Sequence, residues 1–279
     1  MGMSINTNLS ALNTYRNLNS TQNDLSKSLE KLSSGLRINR AADDAAGLSI
    51  SEGLKSQVGG LTVAARNAQD GISVVQTAEG GLTETHSILQ RMRDLAVQAG
   101  NDSNNADSRT AISTEVTELS KELTRISQST NFNGINLLDG SAGTAGVLKF
   151  QVGANGDAAS QIDVDLSGAN VSTVATAVTG LDFTTATGAQ SAITTIDAQI
   201  KNVSTARSNI GAIQNRFDHA INVTNVAKEN LTAAGSRITD VDMAEEMVKY
   251  TRDNILSQAG TSMLAQANQS TQGVLSLLR

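Results

Sequence analysis

Residues 18–36 read LNSTQNDLSKSLEKLSSGL, and leucines recur along them at the spacing of one helix face. Leu18, Leu25 and Leu32 are seven residues apart, and Leu29 and Leu36 fall between and after them. This repeat predicts a long amphipathic helix with a narrow apolar seam. Because such a helix is stable only when its apolar seam is covered, we expect a partner helix.

A second seam lies at the C-terminal end of the sequence, in residues 238–279. The nearest partner for either seam is the other terminus, and the next is a second copy of the protein. The two seams therefore predict self-assembly through paired terminal helices, which favours an interaction protein over an enzyme. The apolar residues of the second seam are Val241, Val248, Ile255, Leu264, Ala267, Val274 and Leu278.

The composition favours helices packed on helices. Of the 279 residues, 39% are hydrophobic but only 2% are aromatic, and neither Trp nor Pro occurs. Small aliphatic side chains let helices approach closely, whereas ligand pockets usually have aromatic walls. Without Pro, only glycine is left to interrupt a long helix. We expect a mainly α protein and no cofactor.

Charge and cysteine content argue against several partners. The formal net charge is −6, and no basic run suggests nucleic acid or an anionic membrane. The sequence has no Cys, and no apolar stretch reaches the roughly 20 residues that span a bilayer. The N-terminal residues MGMSINTNLSALNTYRNL lack the basic and apolar regions of a Sec-type signal peptide. If the protein leaves the cell, we expect another export route.

Helical spacing continues after the first seam. Residues 37–45 are predicted to be a junction between two helical regions, because they contain weak helix formers. Helices are expected over 46–99 and 107–129, where apolar residues again follow one face. The pair Gly80-Gly81 predicts a break inside the first of these helices.

The middle of the sequence has a different character. Residues 147–153 (VLKFQVG) and 161–168 (QIDVDLSG) alternate apolar and polar side chains, which predicts a β-hairpin with a longer loop. Residues 170–188 are rich in Thr and Ala, and their structure stays open. The helical period resumes over 191–230, and a weak stretch at 233–236 precedes the terminal seam. The expected fold is an antiparallel long-helix bundle or coiled coil with a small β-hairpin region.

Candidate catalytic and metal-binding residues have simpler explanations. His86 and His219 are far apart in sequence, and both fall on predicted helices, so we interpret them as surface or interface residues. Asp163 and Asp165 resemble the opening of an EF-hand loop, but the twelfth position is Val174, where a bidentate Glu is needed. We therefore expect no catalytic, metal-binding or cofactor-binding residues.

Four segments of the sequence resemble bacterial flagellin. They are LEKLSSGLRINRAADDAAGLSISEGLKSQ (29–57), NAQDGISVVQTAEGGL (67–82), STNFNGINLLDG (129–140) and AAGSRITDVDMAEEMVKYTRDNILSQAGTSMLAQANQ (233–269). They occur in the order and at the distances of that family. The region 141–190 shows no such resemblance, so the sequence is similar to a short flagellin without large outer domains.

The resemblance implies a structural subunit that polymerises into the flagellar filament for swimming motility. It implies that residues 1–44 and 235–279 form a terminal coiled-coil pair in an inner tube. Residues 45–140 and 189–234 would form a helical bundle in an outer tube. Residues 141–188 would carry the β-hairpin and a variable surface segment.

The resemblance also implies partners and a location. The subunit would leave the cell unfolded through the type III flagellar export apparatus, without a cleaved signal peptide. A chaperone would protect the C-terminal helix before export, and flagellar cap and hook-associated proteins would contact the growing polymer. The expected location is extracellular, in the bacterial flagellum filament.

Two other functions stay open at the level of sequence. A hook–filament junction protein would share the terminal helices, although it usually implies a longer and less closely matched sequence. An enzyme carried on a flagellin scaffold, such as a protease in the middle segment, would need a motif like HExxH, which does not occur.

Residues 90–101 (QRMRDLAVQAGN) resemble the flagellin motif that the vertebrate innate receptor Toll-like receptor 5 reads. The resemblance implies that Arg91, Leu95 and Glu115 are receptor contacts. Arg91 and Leu95 are four residues apart, so we expect them to share a helix face. The alternative is that Leu95 packs in the bundle while Arg91 pairs with Asp94 or Glu115 at a subunit interface.

Overall fold

The structure is a computed structural model that describes residues 8–277, with side chains described for residues 8–269. The predicted mainly α fold with a small β-hairpin region is confirmed. The helices are α1 (Leu9–Ser34), α2 (Ala45–Ala99), α3 (Ala106–Ser129), α4 (Val171–Val178), α5 (Ala186–Thr239) and α6 (Met243–Leu277). The strands are β1 (Asn131–Phe132), β2 (Ile135–Asn136), β3 (Val147–Gln151) and β4 (Gln161–Asp165).

The protein divides into two compact units. The first unit combines the residues up to 56 with the residues from 230 onward, and the second unit comprises residues 57–229. Helices α1 and α6 belong to the first unit, whereas α3, α4 and all four strands belong to the second. The three-part division expected from the sequence stays a prediction.

In the first unit, backbone hydrogen bonds join the segment that follows α1 to the end of α5 and the segment that follows it. Helix α1 is capped at its start by the side chain of Asn8 and ends at Gly35, whose φ of +73° favours glycine. The Arg37 amide then donates to the Thr239 carbonyl at 2.6 Å, and the Val241 amide donates to the Gly35 carbonyl at 3.1 Å. The end of α1 is thereby fastened to the end of α5.

Helix α2 continues through Gly80-Gly81, so the predicted break is wrong. A Cβ atom on Gly81 would lie 2.5 Å from Leu138 Cδ1 and 2.9 Å from Thr130 Oγ1, whereas a Cβ on Gly80 would meet nothing within 4 Å. Gly81 therefore allows close packing against the β1–β2 region. A single glycine costs a helix only about 1 kcal/mol, which packing easily offsets.

Helix α5 also runs further than the sequence predicts, to Thr239 rather than to about residue 230. The weak stretch at 233–236 lies inside it. Gly235 has no neighbour that a Cβ would meet, and the sequence has no Pro to stop the helix. The chain leaves the helix only at Asp240, two residues before Asp242 caps α6 by accepting from the Ala244 amide at 2.9 Å.

One hydrophobic core organises the second unit. It combines side chains from α2, α3, α4, α5 and the strand region into a single cluster. Aliphatic residues fill most of it, in agreement with the low aromatic content. The largest fully buried side chains are Phe183, Phe217, Leu82, Leu89, Met92, Leu123, Leu137, Leu138, Leu166, Ile196, Ile210 and Val75.

Two short hairpins lie between α3 and α4. Strands β3 and β4 pair antiparallel from Val147↔Asp165 to Gln151↔Gln161, as the alternating pattern predicts. Strands β1 and β2 form a second hairpin that the sequence analysis missed. Its turn residues Asn133 and Gly134 have φ values of +49° and +79°. An Asn-Gly pair between apolar residues is the usual sign of such a turn, so the sequence did contain the signal.

The segment 170–188, whose structure the sequence left open, contributes to the core. Asn170 caps α4, and its side chain accepts from the Thr173 amide at 3.1 Å. Helix α4 packs on α3 and buries Val171, Val174 and Val178. Within 141–188, the loop 154–159 is exposed, whereas α4 is part of the core.

Candidate assembly surface

Helices α1 and α6 pack antiparallel in the first unit. In both helices the residues facing the partner alternate in steps of three and four, which is the pattern of a coiled coil. The two rows are half-buried or buried along the described length. They are Ala11, Thr14, Leu18, Thr21, Leu25, Ser28 and Leu32 on α1, and Glu246, Tyr250, Asp253, Ser257, Gly260, Leu264 and Ala267 on α6.

Polar contacts set the register of this pair. The Ser28 hydroxyl donates to Glu246 Oε1 at 2.6 Å, and both residues are buried. Lys249 Nζ lies 3.7 Å from Glu246 Oε2, so the carboxylate also has a nearby cation. Towards the other end, Asn8 Nδ2 donates to the Ala267 carbonyl at 2.9 Å. Buried polar partners are known to select one register in helix pairs.

The N-terminal seam residues are divided between two faces. Leu18, Leu25 and Leu32 are half-buried in the row that faces α6. Leu29 is 49% exposed and Leu36 is 36% exposed, so they lie outside this row. A single leucine stripe along α1 is therefore the wrong description.

The C-terminal seam residues are also divided. Leu264 faces α1, and Val241 is half-buried near Gly35. Val248 and Ile255 are each 61% exposed, so the prediction that they pack with Leu264 on one face is wrong. The side chain of Val274 and the whole of Leu278 lie outside the described residues.

The α6 row was missed because most of its members are polar or small. Apolar residues occur on several sides of α6, so their period alone does not select the face that meets α1. The spacing of small residues along α6 was the feature that could have identified the face that meets α1. Gly260 lies so close to α1 that a Cβ there would be 3.1 Å from Leu18 Cδ1.

The outward side of α6 carries a shallow apolar groove. Its lining residues, which we call the α6 patch, are Met247, Val248, Thr251, Arg252, Ile255 and Leu256. Exposed apolar side chains also occur on α1, at Leu9, Leu12 and Tyr15. Contiguous exposed apolar surface usually marks a site of protein association.

The receptor-contact candidates do not form one surface. Arg91 is exposed and its Nη2 lies 2.7 Å from Glu115 Oε1 on α3. Leu95 is only 2% exposed and belongs to the core, so the expected shared face of Arg91 and Leu95 is wrong. Four residues advance a helix by about 40° beyond a full turn, which is enough to bury one side chain and expose the other. Leu95 packs in the core and Arg91 pairs with Glu115 within a single subunit. A receptor contact or a subunit interface at this pair stays a prediction.

A second arginine of α2, Arg93, links this helix to α5. Arg93 Nε donates to Asp197 Oδ1 on α5 at 2.6 Å. This hydrogen bond, together with the charge of Asp197, raises the pKa of the Arg93 guanidinium above its usual value. Arg91 and Arg93 therefore tie α2 to α3 and to α5, respectively.

The described residues offer little for other kinds of site. No group of three or more His, Cys, Asp or Glu side chains among them could hold a metal ion. In the same part of the chain, no helix is long and apolar enough to cross a membrane. The α1–α6 pair and the exposed apolar surface around it are the features that indicate a functional site, and they favour protein association.

Comparison with known proteins identifies the family. Residues 5–143 match the family model for the bacterial flagellin N-terminal helical region, and residues 193–278 match the model for the bacterial flagellin C-terminal helical region. The chain belongs to the bacterial flagellin family. Residues 144–192 lie between the two matches, but similar flagellins align across this interval as well.

Similar flagellins extend over nearly the whole chain. The flagellin of Halalkalibacterium halodurans is 53% identical over 277 residues, covering 99% of this chain and 100% of that protein. The flagellin of Bacillus subtilis is 48% identical over 304 residues, with the same coverage of 99% and 100%. The crystal structure of Bacillus cereus flagellin is 31% identical and aligns with a TM-score of 0.48 over 57% of this chain and 88% of that chain.

Family membership defines the general function. This flagellin is a structural subunit of the flagellar filament and is not an enzyme. Its location is extracellular, in the filament. The similarity to flagellins over full lengths favours a filament subunit over a hook–filament junction protein.

Proposed function

We propose that this flagellin polymerises through its terminal helices, with the α6 patch buried against neighbouring copies. The observation that carries the proposal is the exposure of Val248 and Ile255, which are each 61% exposed on the helix that packs on α1. Exposed aliphatic groups gain about 25 cal/mol for each Å² that a neighbour covers. A contact between different faces of identical subunits repeats without closing, which generates a helical polymer.

The same proposal extends to the division of the subunit. Residues 1–44 and 235–279 form an inner tube, and residues 45–140 and 189–234 form an outer tube around it. Residues 141–188 lie towards the medium. The second unit buries its large side chains without α1 or α6, which supports the separation of the terminal helices from the rest. Helix α4 belongs to the same core, so this support does not extend to residues 141–188 as a separate part.

Deletion of residues 245–279, or of residues 1–36, is expected to abolish polymerisation while the second unit stays folded. Each deletion removes one helix of the α1–α6 pair, so the remaining helix loses the partner that covers it. Circular dichroism measures the helicity of the monomer, and electron microscopy detects growth from sheared filament seeds. A short insertion in the exposed loop 154–157 is the control and should leave growth intact. Normal filaments from either deletion would contradict the proposal.

The proposed partners before and during assembly follow from the same surfaces. A chaperone covers the exposed apolar residues of α6 until export, which prevents premature association. The subunit leaves the cell unfolded through the type III flagellar export apparatus, without a cleaved signal peptide. Flagellar cap and hook-associated proteins then meet the terminal helices at the end of the growing polymer. The exposed α6 patch supports the chaperone contact in particular.

We further propose that Toll-like receptor 5 binds the monomer at the Arg91–Glu115 pair. The two side chains are 57% and 42% exposed, and together they present a planar cation beside a carboxylate on adjacent helices. Leu95 is buried, so its contribution is to position Arg91 by packing α2 into the core.

Monomer carrying Arg91→Ala is expected to lose about tenfold or more of its potency on reporter cells that express the receptor, because interface arginines are frequent hot spots. Glu115→Ala should have a smaller effect, and the intact filament should signal weakly. Arg93→Ala is the matched control, since Arg93 is equally charged but pairs with Asp197 on the other side of α2. Equal potency of wild type and the Arg91 variant would mean that the pair serves only the fold or a subunit interface.

A further inference from the structure

Three methionines of α6 are exposed to solvent. Met243 is 48% exposed, Met247 is 50% exposed and Met263 is 61% exposed. By contrast, Met92 is fully buried in the core of the second unit. Methionine is usually a core residue, so three exposed thioethers on one helix need an explanation. Exposure also makes their sulfur atoms accessible to oxidants.

We propose that Met247 is an oxidation site that switches off polymerisation, with Met243 and Met263 as secondary sites. The oxidant is a peroxide. Its O–O bond breaks as one oxygen forms an S–O bond with the thioether. Sulfur loses two electrons, and the second oxygen of hydrogen peroxide leaves as water. The product, methionine sulfoxide, is polar and chiral, and cellular reductases convert it back to methionine. This proposal rests on the assembly role of the α6 patch.

Position 247 matters because it lines the α6 patch beside Val248, Ile255 and Leu256. A sulfoxide oxygen is a hydrogen-bond acceptor, and burying it without a donor is unfavourable. The hydroxyl of Thr251, which also lines the patch, already donates to the Met247 carbonyl at 2.8 Å. Arg252 also lines the patch, but it lies five residues further on, about 140° round the helix. Covering the oxygen with a neighbouring copy would remove its hydration, which opposes assembly.

The free monomer should tolerate the same change. In the monomer, Met247 is half exposed and faces away from the α1 row, so water can hydrate the sulfoxide oxygen. The core of the second unit contains one methionine, Met92, and its burial protects it at low oxidant concentrations. Oxidation should therefore block assembly without unfolding the subunit.

The experiment exposes the full-length monomer to hydrogen peroxide and then measures growth on sheared filament seeds. Peptide mass spectrometry reports the fraction of sulfoxide at each methionine. We expect early conversion of Met247 and little conversion of Met92. The critical concentration for growth should rise about tenfold or more, while the circular dichroism spectrum stays unchanged. Treatment with methionine sulfoxide reductases should restore growth. Unchanged growth of protein with Met247 fully converted would overturn the proposal.

Three variants separate Met247 from the other methionines. Met243→Leu/Met247→Leu/Met263→Leu keeps the apolar volume and should grow after peroxide treatment. Met243→Leu/Met263→Leu retains Met247 and should be inhibited like wild type. Met247→Gln mimics the polarity of the sulfoxide and should grow poorly without peroxide.

Two outcomes with these variants would overturn the oxidation site alone. Inhibition of the triple leucine variant would place the sensitive sulfur at Met1, Met3 or Met92. Resistance of the double variant would place it at Met243 or Met263. Normal growth of the Ile255→Asp variant would contradict the assembly role of the α6 patch itself, and with it this proposal. The two kinds of failure are therefore distinguishable.

Discussion

Ile255→Asp is expected to abolish filament growth while the monomer keeps its helicity and its melting temperature. Ile255 is 61% exposed in the single chain, so a carboxylate there stays hydrated and disturbs no packing. In the filament, the same carboxylate would be buried without a cation, which costs about 3–5 kcal/mol for each contact. Since each 1.4 kcal/mol is a factor of ten, the critical concentration should rise by more than about a hundredfold.

The measurement is seeded growth followed by electron microscopy, with a thermal melt of the same sample. Ile255→Leu is the matched control and should grow normally, because it keeps an apolar side chain of equal volume. Leu32→Asp should also prevent growth, but it should loosen the terminal helices of the monomer as well, because Leu32 is half-buried against α6. Filaments of Ile255→Asp at wild-type concentrations would exclude the α6 patch from the subunit contact.

Phe217→Ala is expected to destabilise the second unit by about 3–5 kcal/mol. The Phe217 ring on α5 is fully buried and meets Phe150 of β3 edge to face, with 5.5 Å between the ring centroids. It also lies over Gly71 of α2, where a Cβ would be 2.5 Å from Phe217 Cζ. Removing the ring leaves a cavity where three elements meet, and a backbone glycine cannot fill it.

Thermal unfolding followed by circular dichroism measures this effect. For a unit of this size, a loss of about 4 kcal/mol lowers the melting temperature by roughly 8–16 °C. Phe132→Ala is the control, because Phe132 is only partly buried at the edge of the core and should cost less. An equal fall in melting temperature for both variants would mean that Phe217 contributes no more to stability than Phe132.

Periodicity was a good guide wherever one face of an element is buried. It located α1 through Leu18, Leu25 and Leu32, and the alternation of apolar residues located the β3–β4 hairpin. Sequence patterns were a poor guide at glycines, because a glycine can either interrupt a helix or allow another segment to pack closely against it. Gly81 was interpreted as a helix break, although it permits close contact with Leu138, and only the packed structure distinguishes these uses.

The assembly surface was harder to derive than the fold. A helix that contacts one partner within its own chain and others in a polymer needs apolar residues on several sides. Its sequence therefore contains overlapping periods, which is why Ile255 was assigned to the same face as Leu264. The prediction that Leu95 shares a face with Arg91 was wrong for a related reason. Two residues four apart on a helix can lie on opposite sides of the boundary between core and solvent.

The buried hydrogen bond from Ser28 to Glu246 has a consequence for the accuracy of growth. If α6 slipped along α1 by one helical turn, the carboxylate of Glu246 would face Leu25 or Leu32 in place of a hydroxyl. The carboxylate would keep Lys249 of its own helix but lose the Ser28 hydroxyl, so the shifted register is less stable than the observed one. We therefore expect every subunit to present its terminal helices in the same register, which a regular helical polymer requires.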